Sequence, residues 1–112
     1  MTVVKLAVGS KGVVSDHPLA TLVGCRILEE GGNAFDAAIA VSAVLSVVQP
    51  HMGGPGGDAF LLGFVGDEVL AYMSSGRSPS GFNAEEFVRV APTRGPLTVT
   101  VPGLVGLWNT IY

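Results

Sequence analysis

Apolar residues recur at helical spacing in the first third of the chain and predict a helix there. Asp16 is expected to cap this helix, with Pro18 in its first turn, where the missing N–H costs nothing. Gly31-Gly32 is expected to end it, and Val13-Val14 to form a short strand before it. The apolar stripe of this helix consists of Leu19, Leu22, Val23 and Ile27.

A second helix is predicted directly after the first. Asn33 is its expected cap, and Asp36, three positions later, is placed to reach back in the manner of a capping box. Residues 37–48 are apolar on nearly every side, so this helix should be buried all round. One neighbouring short helix does not provide that much burial, and further covering layers are therefore expected.

Two apolar runs in the middle of the chain predict a β-hairpin. They are Ala59–Val65 and residues 69–73, joined by Gly66-Asp67-Glu68, whose Gly-Asp pair is a turn signal. Both runs are apolar on both faces, which again predicts burial between layers.

The last third of the chain contains shorter elements. Asn83 is expected to cap a helix over residues 83–88, and a loop punctuated by prolines follows it. Residues 97–101 alternate as a strand should, and Pro102-Gly103 ends that pattern. A new helical stripe then consists of Leu104, Leu107, Trp108 and Ile111. Because no helix terminator precedes Tyr112, we expect the sequence to stop within an element.

The composition strengthens the expectation that something covers these elements. The 112 residues are 48% hydrophobic and only 13% charged, whereas ordinary soluble domains carry about 25% charged residues. A chain of this length hides only about two thirds of the surface that its unfolded form exposes. The surplus of apolar residues therefore predicts a cover from a partner, from the rest of a longer chain or from a membrane.

A membrane is the weakest of these three covers. Residues 34–48 form the most apolar stretch, but Asp36 interrupts it, and crossing the hydrocarbon needs about 20 apolar residues. Residues 1–14 contain Lys5 and Lys11 and have neither the basic head nor the cleavage site of a signal peptide. The net charge of −3 and the scattered cations argue against a nucleic-acid partner. We therefore expect a soluble, non-secreted, cytoplasmic protein.

A glycine-rich loop with four glycines around Pro55 follows the second helix. Nucleotide binding is disfavoured, because the loop lacks the Lys-Ser/Thr of a P-loop and Ala59 stands where a dinucleotide fingerprint has its last glycine. A structural role or a role in binding an acyl substrate is favoured. For His51, hydrogen bonding to nearby backbone is at least as plausible as catalysis. Asp58 is either an exposed carboxylate or a partner of the glycine amides.

Other potentially reactive side chains favour structural roles. Cys25 lies inside a helical pattern and away from a helix start, which favours a small core residue over a nucleophile. His17 and His51 are distant in sequence, and neither has a carboxylate or thiol at ligand spacing. We expect neither a metal nor another cofactor.

Arg77 is the only cation between Arg26 and Arg89, and it follows a predicted strand beside Ser75 and a glycine. A guanidinium at such a place can hold a carboxylate through two parallel hydrogen bonds. Position alone modestly favours a solvated loop arginine.

Four blocks stand out in order along the chain: Val-Ser-Asp-His-Pro-Leu-Ala at 14–20, Ile-Leu-Glu-Glu-Gly-Gly-Asn-Ala-Phe-Asp-Ala-Ala at 27–38, Gln-Pro-His with Gly-Pro-Gly-Gly within 49–57, and Thr-Val-Thr-Val-Pro-Gly at 98–103. The Gly-Gly-Asn-Ala-x-Asp-Ala-Ala element is far more specific than any lone glycine motif. Together these blocks resemble the start of the large subunit in the γ-glutamyltranspeptidase family.

The resemblance implies an α+β fold, the N-terminal portion of a four-layer αββα sandwich of an N-terminal nucleophile hydrolase. Residues 1–112 would be one incomplete domain of a precursor that cleaves itself. The freed threonine of the small subunit would be the nucleophile, with its own α-amine as base, and it lies outside this chain. The implied partners are the rest of the large subunit, the small subunit and a small γ-glutamyl or other amide substrate, with no nucleic acid and no membrane.

The chain departs from the family at one place that concerns substrate binding. In glutathione-type members an Arg-Glu pair follows the second strand, and its arginine holds the α-carboxylate of the γ-glutamyl group. Counting back from Pro79, those positions are Ser75 and Gly76 here, and the arginine stands at Arg77. The Ser-Gly-Arg-x-Pro pattern is more similar to the acylase and amidohydrolase branch. Ser75 and Arg77 are the candidate substrate-binding residues.

The resemblance therefore favours an enzyme that hydrolyses or transfers a γ-glutamyl group, as in glutathione-type substrates, through an acyl-enzyme. Two alternatives stay open: a related amidohydrolase or acylase with another acyl group, and a binding module without catalysis.

Overall fold

The computed structural model describes residues 8–112. Lys5 and the rest of the segment considered above as a signal peptide, up to residue 7, lie outside the described residues. The chain divides into two compact units, of which the first ends at Val48 and the second spans Gln49–Tyr112. Each unit has its own set of packed elements.

The first unit is a pair of packed helices, α1 (Pro18–Glu29) and α2 (Ala34–Val48). Their contact is built on small residues, since Ala20, Gly24 and Ala37 are its buried positions. A β-carbon at Gly24 would lie 2.6 Å from Cγ2 of Val41 on the facing helix. The helices therefore approach more closely than a side chain at this position allows.

The start of α1 differs from the prediction. His17, not Asp16, is the N-cap: its Nδ1 accepts a hydrogen bond of 3.2 Å from the Leu19 amide. The reason is that Pro18 occupies the first helical position, so the capping residue is the one immediately before it. The predicted strand at Val13-Val14 is also wrong, because these two residues form no regular element.

The capping box at the start of α2 is confirmed. Oδ1 of Asn33 accepts hydrogen bonds from the amides of Phe35 and Asp36, at 2.7 and 3.1 Å. In return, Oδ2 of Asp36 accepts a hydrogen bond of 2.8 Å from the Asn33 amide. Within the described residues α2 is not buried all round, and its burial by further covering layers stays a prediction. Only Ala37 is buried, because α1 covers one side of α2 within the described residues and the other sides stay partly open.

The second unit begins with the predicted hairpin of β1 (Ala59–Val65) and β2 (Glu68–Ser74), which are antiparallel. β2 extends one residue beyond its predicted bounds at each end. Val65 pairs with Glu68, so the connecting turn has two residues, and Gly66 at its first position has φ +59°. Glycine at this position is typical of a tight hairpin turn. Within the described residues, alternate residues of β1, such as Leu62, are largely exposed.

The helices α3 (Ala84–Val90) and α4 (Leu104–Ile111) confirm the two remaining helix predictions. Asn83 caps α3 by accepting a hydrogen bond of 3.1 Å from the Glu86 amide. The predicted strand over residues 97–101 is wrong: Pro96–Thr98 forms a 3-10 turn instead. Gly95, at φ +99°, turns the chain there, and its carbonyl accepts from both the amide and the hydroxyl of Thr98. These local hydrogen bonds use backbone groups that would otherwise be available for pairing with a neighbouring strand.

α4 packs on β2 and buries Leu104 and Leu107. No helix in the part of the chain that the structure describes is both long and apolar enough to span a bilayer.

Candidate functional site

A cleft of about 310 Å³ lies in the second unit, directly after the end of β2. Ser75 and Arg77, the two candidate substrate-binding residues, both line it. These two residues, separated only by Gly76, therefore belong to the lining of the same cleft. The other walls are formed by Phe82 and Phe87 and by residues within the segment 96–101.

The aromatic wall is held by the start of α3. The rings of Phe82 and Phe87 are tilted by 53° with their centroids 5.2 Å apart, within the range of a favourable aromatic pair. Asn83 caps the helix between them, and Ala91 ends the helix in the left-handed region at φ 43°. The chain then returns to the cleft through the 3-10 turn, which explains why residues distant in sequence share one cavity.

The loop that carries Arg77 lies directly on the opposite segment. Gly76 has φ +70°, and a β-carbon built on it would lie 2.9 Å from Cγ2 of Val101. Both observations demand glycine, since side chains are disfavoured at positive φ and no room exists for one. The backbone between Ser75 and Arg77 therefore lies in close contact with the Val101 side chain.

Two residues after Val101, Gly103 is held from two sides. Its carbonyl accepts a hydrogen bond of 2.7 Å from the Ser74 hydroxyl, and its amide donates one of 2.9 Å to the Gly57 carbonyl. The Leu104 amide donates to the same Gly57 oxygen at 3.1 Å. We call these contacts of Gly57, Ser74 and Gly103 the Gly103 junction.

The junction gives the glycine-rich loop a structural role. Gly57 follows a tight turn in which its own amide donates to the Gly54 carbonyl at 2.8 Å. Its carbonyl then supplies the cap of α4, whose N-cap residue, Gly103, has no side chain to do so. The loop thus presents an acceptor to a helix start, which agrees with the structural interpretation and not with a phosphate cradle.

The polar groups that line the cleft are one guanidinium and several hydroxyl groups. Among the described residues that line it, Arg77 has the one positive charge, and Ser75, Ser78 and Thr100 add hydroxyl groups. No histidine or carboxylate is among these lining residues. A guanidinium beside hydroxyl donors matches a substrate carboxylate.

The other candidates lie away from this cleft. His17 is occupied as the cap of α1, and Cys25 is half-buried within that helix with a free thiol. His51 is exposed in a turn at the start of the glycine-rich loop, and Asp58 is half-buried at its end. Within residues 8–112 no group of three metal-ligating side chains comes together.

Sequence reasoning missed the Ser74 hydroxyl and the walls formed by Phe82, Phe87 and residues 96–101. For the close approach at Gly103, the sequence does contain a signal. Gly103 stands directly after Pro102, which by itself ends a strand, so a second breaker pointed to a close approach of backbone. Nothing local indicated that Ser74 is the group it approaches.

Comparison with known proteins identifies what the chain is similar to. Residues 20–112 match the family described as Gamma-glutamyltranspeptidase. The glutathione hydrolase-like YwrD proenzyme of Bacillus subtilis is 45% identical over 96% of this chain and 22% of its own length. The oxamate amidohydrolase proenzyme of Klebsiella pneumoniae is 39% identical over 85% of this chain and 19% of its own length.

The fold comparison agrees. The crystal structure of Helicobacter pylori gamma-glutamyltranspeptidase matches 96% of this chain with a TM-score of 0.78 and 31% identity, and the match covers 33% of that chain. The predicted fold class is thereby confirmed. The chain spans about a fifth of the length of these curated relatives.

Proposed function

This chain belongs to the gamma-glutamyltranspeptidase family, and we propose that the full-length protein is an enzyme that hydrolyses or transfers a γ-glutamyl group. The acyl group would pass through an acyl-enzyme to water or to an amine. The proposal is supported by the family match over residues 20–112 and by relatives whose names describe glutathione hydrolysis. It rests on one structural observation, the cleft with a single guanidinium at the end of β2.

The nucleophile in this proposal is a threonine outside the described chain. Freed by cleavage of a precursor, it would use its own α-amine as general base. The curated relatives named above are proenzymes, which supports a precursor. The partners of this chain would then be the rest of a large subunit and a small subunit. The present chain would then supply residues that bind the substrate.

Arg77 is the proposed carboxylate-binding residue, with Ser75 as a second donor. Arg77 is exposed at the cleft wall and free to make two parallel hydrogen bonds to a carboxylate, while the half-buried Ser75 lies two residues before it. Such a charge-assisted contact contributes on the order of 2–4 kcal/mol to binding of the transition state.

The test is a kinetic comparison of the full-length enzyme with its Arg77→Ala variant on a γ-glutamyl amide. We expect kcat/KM to fall by about 30-fold to 1000-fold, mainly through a higher KM. Arg77→Lys should retain only part of the parent kcat/KM, because an ammonium does not make the two parallel hydrogen bonds. Arg94→Ala, a change at an exposed arginine outside the cleft lining, is the matched control. An unchanged KM in Arg77→Ala would remove this residue from the site.

A second candidate function, an amidohydrolase or acylase with a different acyl group, is favoured by Gly76. The glutamate of the Arg-Glu pair would fall at this position, where the positive φ and Val101 leave no room for a side chain. A panel of γ-glutamyl, oxamate-like and β-lactam side-chain amides separates the two candidates. Activity on every amide except the γ-glutamyl one would exclude the first and establish the second.

A further inference from the structure

We propose that Ser74 is a positioning residue for the substrate loop, defined as residues 75–77. It acts through its hydrogen bond to the Gly103 carbonyl and sets the direction from which Arg77 reaches a bound carboxylate. This inference rests on the proposed function, because it takes Arg77 as the group that meets the substrate.

Ser74 stands where the regular hairpin ends and the substrate loop begins. It is the last residue of β2 and pairs with Ala59 of β1, so its backbone belongs to the sheet. Its half-buried hydroxyl donates over 2.7 Å to a carbonyl 29 residues farther along the chain. Ser74 therefore joins the sheet to the start of α4 at the point where the loop departs.

The acceptor of this bond is itself fixed. The amide of Gly103 is held by the Gly57 carbonyl, and the next residue, Leu104, is buried. A β-carbon on Gly103 would lie 2.6 Å from the carbonyl carbon of Ser74, so the two backbones are in direct contact. A hydroxyl bound to such an acceptor holds the end of the strand in one place.

The loop is then held at two successive points against one segment. Ser74 bonds to Gly103, and Gly76 lies on Val101 two residues earlier in that segment. Arg77 follows directly after the second point. Because displacement of a binding group by 1 Å can cost a large factor in rate, loss of the first point should weaken binding through Arg77 without removing any group from the cleft.

The experiment compares Ser74→Ala and Ser74→Thr in the full-length enzyme. We expect Ser74→Ala to raise KM for the acyl donor by about tenfold with a smaller change in kcat. Ser74→Thr keeps the hydroxyl and should have a KM much closer to that of the parent enzyme. Ser46→Ala is the matched control, since Ser46 also donates to a backbone carbonyl, at 2.9 Å, but lies within α2.

Action through Arg77 is tested by repeating Ser74→Ala in an Arg77→Ala background. If Ser74 positions Arg77, Ser74→Ala should raise KM by less than twofold in the Arg77→Ala background, which lacks the guanidinium. An equal effect in both backgrounds would overturn the proposal, since the hydroxyl would then act on its own. So would a KM unchanged by Ser74→Ala in the parent enzyme.

Hydrogen exchange provides a readout that does not depend on catalysis. Ser74→Ala should accelerate amide exchange in residues 75–77, whereas Ser46→Ala should leave that segment unchanged. Unchanged exchange in residues 75–77 would overturn the positioning role whatever the activity. Faster exchange in an enzyme that cleaves none of the amides would leave the positioning of the loop intact and contradict the proposed function instead.

Discussion

The backbone of Gly103 lies against the carbonyl group of Ser74 with no space for a side chain between them. A β-carbon at position 103 would lie 2.6 Å from both the carbonyl carbon and the hydroxyl oxygen of Ser74. At the same time the Ser74 hydroxyl donates to the Gly103 carbonyl. The end of a strand and the start of a helix are thus joined by a steric contact and a hydrogen bond between the same two residues.

Gly103→Ala should be strongly destabilising. Because the new methyl group would meet backbone rather than a flexible side chain, α4 must move away from β2, and we expect the free energy of unfolding to fall by about 3 kcal/mol. Denaturant titration of the full-length protein measures it. Gly106→Ala within α4 is the control, since nothing lies within 4 Å of a β-carbon built on Gly106. This change should raise the free energy of unfolding by about 1 kcal/mol, because alanine has the higher helix propensity. Equal effects of the two changes would contradict the close contact.

Gly24→Ala tests the contact between α1 and α2. Alanine at this position should raise the free energy of unfolding by about 1 kcal/mol through its higher helix propensity. Overpacking against the stiff Val41 side chain should lower it by about 1–3 kcal/mol. We therefore expect a net loss of about 1 kcal/mol in the free energy of unfolding. Val41→Ala should relieve part of it, so the double variant should be about 1 kcal/mol more stable than the sum of the single changes predicts. Strict additivity would show that the two side chains do not meet.

Asn33→Ala removes the side-chain acceptor of two amides at the start of α2. The expected loss is about 1 kcal/mol, typical of an N-cap, observed as a lower thermal midpoint of the full-length protein. Asn33→Asp should retain most of the stability because its carboxylate accepts the same bonds. Asn109→Ala, at an exposed position of α4, is the control and should not lower the midpoint.

Gly66→Ala tests the hairpin turn. The left-handed φ of +59° costs a residue with a β-carbon about 1–2 kcal/mol, so denaturation should occur at a lower denaturant concentration. Gly66→Asn should lose less, because asparagine tolerates this region. Gly53→Ala, in the glycine-rich loop with open space around its β-carbon, is the control and should be neutral or slightly stabilising. A neutral Gly66→Ala would contradict the turn geometry.

Features encoded within a few residues could be predicted from the sequence. The capping box of Asn33 and Asp36 spans four positions, and the hairpin turn at Gly66 is fixed by its own residues. The family resemblance was equally accessible, because its most specific block is contiguous in residues 27–38. In each case the cause of the structure and the signal for it lie in the same short segment.

The errors arose where neighbouring residues compete or where the partner is distant. Asp16 and His17 are both able to cap α1, and the position of Pro18 decides between them. Residues 97–101 alternate like a strand, but Gly95 diverts the chain into a 3-10 turn. The bond of Ser74 to Gly103 spans 29 residues, a separation over which periodicity has no information.

Several expectations stay predictions. They include the cytoplasmic location, the treatment of residues 1–112 as one incomplete domain, and the roles of Ser75 and Arg77 in substrate binding. Both residues line the same cleft, as those roles require, and the Arg77→Ala experiment tests the role of Arg77 directly.

The contact between Gly76 and Val101 also limits which residues position 76 can accept. A glutamate there would have to adopt a positive φ, and its β-carbon would meet the Val101 side chain. A single Gly76→Glu substitution should therefore displace the substrate loop from Val101, together with the backbone that leads to Arg77. Conversion of this loop into the Arg-Glu form thus requires a change of backbone conformation as well as a change of side chain.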